Sequence, residues 1–176
     1  YSFDEMGKHT EDNGSDNMII HGDNLEALKA LLPQYEGRVK CIYIDPPYNT
    51  GNEKWCYNDN VNDPHIQKWL GEVVGKEGED LTRHDKWLCM MYPRLMLLQK
   101  LLADDGFIFV SIDVFEYAYL RCIMDEIFGS ANFRNCIAVR RGIKNVQAQF
   151  DEVQSLSLGH EYIYLYSKNP QAKLPK

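Results

Sequence analysis

The chain has 176 residues, of which 44% are hydrophobic and 26% are charged, and its formal net charge is −7. This length and composition are those of one soluble globular domain, and no run approaches the ~20 apolar residues of a membrane span. The acidic balance argues against a general DNA-binding surface. The five cysteines are odd in number and show no Cys-x-x-Cys pair, which argues against disulfides or zinc and for a reducing cytosol.

The first part of the chain predicts a leader, a short strand and a capped helix. Residues 1–17 are acidic and polar without periodicity, and we interpret them as an arm. The chain does not begin with Met, so we expect it to be part of a longer protein. A short strand is predicted at 18–21. Asp23, with Glu26 three residues later, has the form of a capping box for a helix that Pro33 should end.

Asp45-Pro46-Pro47-Tyr48 follows residues 39–44, whose β-branched and apolar side chains predict a buried strand. Ligands of open α/β sheets bind where such strands end. The prolines fix φ and lack N–H groups, so we predict a stiff loop whose proline carbonyls are free acceptors.

This loop suits an exocyclic amino group on a flat heterocycle. The Asp45 carboxylate and the Pro46 carbonyl can accept its two N–H bonds and localise its lone pair, while Tyr48 stacks on the ring. The alternative is a Pro-Pro turn that Asp45 caps, with Tyr48 as a surface residue.

The middle of the chain predicts a polar segment and then a long helix. Residues 52–81 carry aromatic side chains among polar ones and are either a functional lid or a surface insertion. The helical spacing of apolar residues predicts a helix over 82–102, capped by Thr82 and kinked or split at Pro93. We assign the Met and aromatic side chains of this helix to the core.

A second buried strand is predicted at 107–112, after a turn at 104–106. Asp113 ends this strand and either faces the same crevice as Asp45 or caps the next helix, predicted over 115–128. The strands 133–139 and 161–166 follow.

Residues 130–149 form a basic strip suited to phosphate contacts. It contains Arg134, Arg140, Arg141 and Lys144, and residues 130–149 contain no acid. The alternation of strands and helices predicts an α/β fold, with a mostly parallel sheet, helices on both faces and an antiparallel edge made by the last two strands.

Five blocks of the sequence, in this order, resemble the β-class of amino-methylating DNA methyltransferases, and more narrowly the modification (Mod) subunits of type III restriction-modification systems. These blocks are 21–28, 42–51, 87–95, Ser111-Ile112-Asp113 and 159–163. They extend over most of the chain, which the resemblance divides into a partial catalytic domain at 18–170 and a tail at 171–176.

The resemblance implies a circularly permuted, Rossmann-like methyltransferase fold with S-adenosylmethionine as cofactor. The chain contains no Gly-x-Gly, so we expect the cofactor's glycine-rich loop to lie outside it and this stretch alone to be inactive. The resemblance further implies methylation of the N6 amine of adenine in double-stranded DNA. It also implies a nuclease/helicase restriction subunit as partner and allows a homodimer. The implied roles are catalytic for Asp45, Pro46, Pro47 and Tyr48, cofactor-binding for Asp23, Asp45 and Asp113, and DNA-binding for Asn49, Arg140, Arg141 and Lys144.

Other functions remain open at this point. Methylation of the N4 amine of cytosine, or of RNA, would use the same chemistry, although relatives that act on cytosine usually carry Ser where this chain has Asp45. A non-catalytic DNA-binding or scaffold subunit of a restriction complex is the alternative from outside the enzymes.

Overall fold

A computed structural model describes residues 17–49, 77–140 and 159–174 of the chain. The helices are α1 (Asn24–Tyr35), α2 (Glu77–Leu101) and α3 (Tyr117–Met124). A π-helical turn (Asp125–Gly129) and a 3₁₀ turn (Ser130–Asn132) follow α3. The strands are β1 (Val39–Ile44), β2 (Leu102–Ile112), β3 (Phe133–Arg140) and β4 (His160–Ser167).

The four strands form one mixed sheet in the order β1-β2-β4-β3. β1 pairs in parallel with β2, with Ile44 opposite Val110, so both strands end at the same edge of the sheet. β4 is antiparallel to β2 and to β3. The four strands predicted from residue 39 onward and the antiparallel edge are therefore confirmed, and the mixed sheet with its helices agrees with the predicted α/β fold.

The core lies between one face of the sheet and the helices. Alternate residues of β2 enter it, because side chains of a strand point to opposite faces in turn. Each helix contributes to it, and Trp87 and Leu95 of α2 are fully buried. The central residues of this core are Trp87, Met90, Leu95, Ile108, Val110, Ile112, Leu120, Met124, Tyr164 and Tyr166. The described helices pack on this one face, so the second helical layer stays a prediction.

Strand β1 is less buried than we predicted. Only Ile42 of its six residues is buried, whereas Cys41 and Tyr43 are exposed. In the described part of the chain β1 has one neighbour, β2, and its second edge and second face are uncovered.

The strand predicted at 18–21 is wrong. These residues have no regular structure, and Ile19 is 99% exposed. A strand needs a partner for its backbone groups, and no described strand lies beside this segment.

Three predicted boundaries are also wrong. Pro33 lies inside α1, which continues to Tyr35. Helix α2 begins at Glu77, so Thr82 lies within it instead of capping it, and α2 passes through Pro93 as one helix. The turn predicted at 104–106 belongs to β2, where the register with β1 shifts and leaves these residues in a bulge.

Among the described residues no helix is long and apolar enough to cross a membrane.

Candidate active site

The loop Asp45–Asn49 begins where β1 ends and has no regular secondary structure. Its burial increases along the chain: Asp45 is exposed, the two prolines and Tyr48 are partly buried, and Asn49 is buried. The loop therefore presents the Asp45 carboxylate to solvent at the carboxyl edge of the sheet, while its far end is anchored in the protein.

The Pro47 carbonyl is held by the long helix. The indole N–H of Trp87, on α2, donates to the Pro47 oxygen at 2.7 Å. The prediction that both proline carbonyls are free acceptors is thus wrong for Pro47. Among the described residues no backbone group donates to the Pro46 carbonyl. Trp87, which we assigned to core packing, has this second role as well.

The Tyr48 ring is fixed by contacts with two acids. Its hydroxyl donates to Glu161 Oε2, on β4, at 3.0 Å. Burial raises the pKa of Tyr48 above its ordinary value, and hydrogen bonding with the carboxylates of Asp45 and Glu161 raises it further. The phenol therefore stays protonated, and the ring packs against the edge of the core.

Asn49 closes the loop in an unusual conformation. Its φ is +54°, in the left-handed region that non-glycine residues rarely adopt, and only 3% of its surface is exposed. Its side-chain amide donates to Glu116 Oε1 and to the Arg83 carbonyl. This side chain points into the protein, and the DNA contact that we predicted for Asn49 stays a prediction.

Behind Asn49 lies a buried polar cluster that the sequence analysis missed. Glu116 is completely buried, and its Oε1 atom lies 2.6 Å from His84 Nδ1. The His84 ring stacks on Tyr119 with 4.2 Å between centroids. Burial raises the pKa of Glu116, and the hydrogen bonds from Asn49 and His84 and the charges of His84 and Arg83 offset this in part.

A cleft of about 310 Å³ opens beside the loop. It is lined by Asn24 and Leu28 of α1, residues 44–47, and Met90, Met91, Arg94 and Leu98 of α2. Arg94 is buried, and it donates from Nε to Asn24 Oδ1 at 2.7 Å and from Nη1 to the Met90 carbonyl at 2.6 Å. The cleft thus combines apolar walls with one acid, Asp45, and one buried cation, Arg94, whose guanidinium is bonded to Asn24 and to the Met90 carbonyl.

The other predicted cofactor residues occupy two further positions. Asp23 caps α1 by accepting from the Leu25 and Glu26 backbone N–H groups, as the capping interpretation predicted. Asp113 is buried directly after β2, at the same sheet edge as Asp45. The Asp113 carboxylate accepts a hydrogen bond from the Phe115 N–H and so forms a turn. The N-cap position of α3, which was one of the two roles predicted for Asp113, is occupied by Glu116.

The predicted basic strip is only partly described. Arg140 is exposed at the end of β3, whereas Arg141 and Lys144 lie outside the described residues, as do residues 52–76 of the predicted lid. Arg134 is committed to internal bonds, since it donates to Ser167 Oγ at 2.8 Å and to the Asn169 carbonyl at 2.9 Å. In the described residues no group of three or more potential ligands is arranged to hold a metal ion.

The DNA methylase family, of the N6/N4 type, matches residues 39–176. The chain belongs to this family. This match includes Asp45 and Pro46 of the loop. It also includes the residues that bond to the loop, which are Trp87 on α2, Glu116 before α3 and Glu161 on β4.

Curated relatives of this DNA methylase chain include Mod subunits of type III systems. The chain is 41% identical over 165 residues to a protein named as the probable HindVI Mod subunit of Haemophilus influenzae, covering 94% of this chain and 19% of that one. It is also 41% identical over 170 residues to the EcoPI Mod subunit of Escherichia phage P1, covering 90% of this chain and 25% of the relative. The chain therefore spans about a quarter or less of the length of these relatives.

A type II methyltransferase and a solved structure are similar over most of the chain. M.KpnI of Klebsiella pneumoniae is 34% identical over 174 residues, which cover 99% of this chain and 38% of M.KpnI. A structure from Thermus thermophilus, assigned as a DNA modification methylase, superposes with a TM-score of 0.52 at 16% identity and covers 88% of this chain and 54% of its own. That structural similarity shows the fold, an α/β methyltransferase fold.

Proposed function

We propose that the protein transfers a methyl group from S-adenosylmethionine to the exocyclic N6 amine of adenine in double-stranded DNA, as the modification subunit of a type III restriction-modification system. The observation that carries this proposal is that the two ends of the loop differ in their bonding. Pro47, Tyr48 and Asn49 are bonded to the protein behind them, whereas the Asp45 carboxylate is exposed and the Pro46 carbonyl is its neighbour.

Two adjacent acceptors on a stiff loop suit the chemistry of an amine that is a poor nucleophile. When Asp45 and the Pro46 carbonyl accept its two N–H bonds, the lone pair is withdrawn from the ring and gains electron density. Asp45 also stabilises the positive charge that develops on the nitrogen as the new N–C bond forms. The loop contributes mainly by positioning, since its acceptors are held in place before the substrate arrives.

Tyr48 supplies the surface on which the target base rests. An enzyme that modifies a base must extrude it from the duplex, at a cost of a few kcal/mol. Stacking on an aromatic ring returns about 1–3 kcal/mol per base. The bond to Glu161 fixes the position of the Tyr48 hydroxyl and so the direction in which the ring projects beside Asp45.

The cleft beside the loop fits the cofactor. Its acid, Asp45, complements a positively charged sulfonium, and Leu28, Met90 and Met91 offer apolar surface to the rest of the molecule. When bound, S-adenosylmethionine supplies an electrophilic methyl group that needs no further activation. Asp23 and Asp113, at the entrance to α1 and at the end of β2, are further candidates for polar contacts with it.

The names of the curated relatives support a proposal for the partner, the substrate and the location of the protein. Type III Mod subunits belong to restriction-modification enzymes, so we propose a nuclease/helicase restriction subunit as partner, duplex DNA as substrate and the cytoplasm as location. Association into a homodimer is part of the same proposal.

Mass spectrometry of nucleosides tests this function directly. Full-length protein would be incubated with S-adenosylmethionine labelled in its methyl group and with duplex DNA of mixed sequence, or with RNA as the control substrate. We expect label in N6-methyladenine from the DNA. Label in N4-methylcytosine or in RNA nucleosides would replace adenine in DNA as the target, and no label in any nucleoside would favour a non-catalytic subunit.

A further inference from the structure

Asn49 is held in place by atoms that lie far from it in sequence. Asn adopts the left-handed backbone more readily than other non-glycine residues, and the contacts of its side chain favour this conformation further. Those contacts are Glu116 Oε1, 67 residues away, and the Arg83 carbonyl, 34 residues away at 3.3 Å. The conformation of the loop therefore depends on α2 and on the turn that precedes α3.

The burial of Glu116 is costly for a residue that only fills space. A carboxyl group removed from water loses hydration, and an apolar side chain of similar size would avoid that loss. Moreover, Glu116 Oε2 is buried without a hydrogen-bond partner among the described residues, whereas Oε1 serves both Asn49 and His84. The accepting function is thus concentrated in the one oxygen that reaches the loop.

His84 orients that oxygen from the opposite side. Its ring is stacked on Tyr119 and mostly buried, so its Nδ1 atom points at Glu116 Oε1 from a fixed direction. The other charged group near Glu116 is Arg83, which precedes His84 on α2. With its proton on Nδ1, the imidazole donates to Oε1 and leaves a second lone pair of that oxygen for the Asn49 amide.

We infer that Glu116, oriented by His84, is a positioning residue for methyl transfer: it grips the Asn49 amide and thereby sets where the Asp45 carboxylate and the Pro46 carbonyl stand. The two prolines make the segment between Asp45 and Asn49 stiff, so a shift at one end moves the other. This inference rests on the proposed function, because it assigns the cluster a role in the same reaction. It makes the buried pair part of the active site although neither residue reaches the substrate.

The test measures kcat and KM for DNA and for S-adenosylmethionine in the full-length protein. Glu116→Ala removes the acceptor, Glu116→Gln keeps an acceptor oxygen at the same place, and Asn49→Gly removes the amide while tolerating the left-handed backbone. We expect Glu116→Ala and Asn49→Gly to lower kcat about 10- to 100-fold, since displacement of a reacting group by about 1 Å costs on that order. Both KM values should stay within about twofold, and Glu116→Gln should keep most of the wild-type kcat.

The double variant Glu116→Ala/Asn49→Gly separates positioning through Asn49 from an independent effect. If Glu116 acts through Asn49, the double variant loses no more kcat than either single variant. Three results would each overturn the inference. They are losses of kcat that multiply in the double variant, a Glu116→Ala variant with normal kcat, and a Glu116→Gln variant whose kcat is as low as that of Glu116→Ala. The matched control is Glu126→Ala, an exposed acid on the π-helical turn, which should keep normal kinetics.

A spectroscopic readout keeps the inference testable apart from activity. In protein labelled with ¹⁵N at asparagine, the side-chain amide signals of Asn49 are assigned by their loss in Asn49→Gly. We expect them to be shifted by the Glu116 bond in the wild type and in Glu116→Gln, and to move toward free amide positions in Glu116→Ala. If Glu116→Ala does not fold, His84→Ala takes its place, with the same shift and kcat loss expected in weaker form. Asn49 amide signals that do not shift in Glu116→Ala or in His84→Ala would refute the positioning role. A wild-type protein that methylates nothing would refute only the proposed function.

Discussion

The Trp87 indole nitrogen lies 2.7 Å from the Pro47 carbonyl oxygen, and this bond ties the most buried ring of α2 to the loop that carries Asp45. Glu161 on β4 holds Tyr48 in the same way, and Glu116 holds Asn49. Three consecutive loop residues are therefore anchored to three different elements. This arrangement leaves the two remaining residues, Asp45 and Pro46, in fixed positions before any substrate binds.

Replacing Trp87 with Phe should separate the indole bond from ring packing. Phe keeps an aromatic ring in the core but leaves the Pro47 carbonyl without its donor, and an unsatisfied buried acceptor costs about 1–3 kcal/mol. The smaller ring adds to this loss. We expect the free energy of unfolding, measured in urea, to fall by at least the cost of the lost bond. Tyr92→Phe, which alters an exposed ring on the same helix, should change it by less than about 0.5 kcal/mol. Equal stability of both variants would show that the indole bond contributes nothing.

Tyr48 and Glu161 should differ in what they do for the target base. Tyr48→Ala removes the stacking surface and should weaken retention of the extruded base by about 1–3 kcal/mol, whereas Tyr48→Phe keeps the ring and should retain most of it. The dissociation constant for a duplex whose target adenine is unpaired measures this retention, because an unpaired base is extruded at low cost. Glu161→Ala should resemble neither variant: it keeps the ring but frees its hydroxyl, so the affinity should stay near that of the wild type while kcat falls. An affinity loss in Tyr48→Phe as large as that in Tyr48→Ala would contradict a stacking role.

The raised pKa of Glu116 predicts a pH dependence of stability. A carboxyl group whose pKa is raised on folding favours the protonated form, so the folded protein binds more protons than the unfolded chain and stability falls as pH rises. This decline should begin near the ordinary glutamate pKa of 4.5 and level off above the raised value. Glu116→Gln cannot titrate, so the difference in unfolding free energy between this variant and the wild type should grow in favour of the variant across that window. A difference that stays constant with pH would contradict the shift.

The sequence predicted the local elements of the candidate site well, because each is determined by neighbouring residues. The Asp-Pro-Pro-Tyr order, the strand before it and the capping acid Asp23 are all encoded by neighbours in the chain, and the structure shows the strand and the cap. The sheet edge formed by β3 and β4 was predictable for a similar reason, since both strands are rich in β-branched and aromatic residues: Phe133, Ile137 and Val139 in β3, and Tyr162, Ile163, Tyr164 and Tyr166 in β4.

The supporting half of the site was missed because its partners are distant in sequence. Glu116 reaches Asn49 across 67 residues and Glu161 reaches Tyr48 across 113, and no spacing rule relates such pairs. A buried acid also resembles a surface acid in a single sequence. The only available signal was the phase of α3, whose apolar residues Leu120, Ile123 and Met124 place Glu116 one turn earlier on the same buried side.

Two residues of the predicted DNA-binding set have side chains that are bonded within the protein. Asn49 turns inward, and Arg134 fastens β3 to the residues after β4, including the Ala172 carbonyl inside the predicted tail. Charge and position in a basic strip did not distinguish Arg134 from Arg140, which is exposed. The difference depends on backbone carbonyls that meet Arg134 only after the sheet forms.

Arg140 should therefore contribute to DNA binding in a way that depends on salt. If its guanidinium neutralises one phosphate, Arg140→Gln lowers the slope of log K against log salt concentration by about 0.9. Fluorescence anisotropy with a labelled duplex over a salt series measures this slope. Arg38→Gln is the matched control, because Arg38 is exposed near the opposite end of β1 and should leave the slope unchanged. An unchanged slope for Arg140→Gln would remove Arg140 from the DNA-binding surface.

The acceptor role of Asp45 can be measured in a single turnover of methyl transfer by full-length protein carrying Asp45→Asn. Asn is equal in size, but its amide loses the negative charge and presents N–H groups to an amine that needs acceptors. We predict a rate about 10²- to 10³-fold below the wild type at saturating DNA and S-adenosylmethionine, because the lost interaction is strongest in the transition state. Asp105→Asn, at an exposed acid beside the far end of β1, should react at the wild-type rate. Methyl transfer by Asp45→Asn at the same rate as Asp105→Asn would contradict the proposed mechanism.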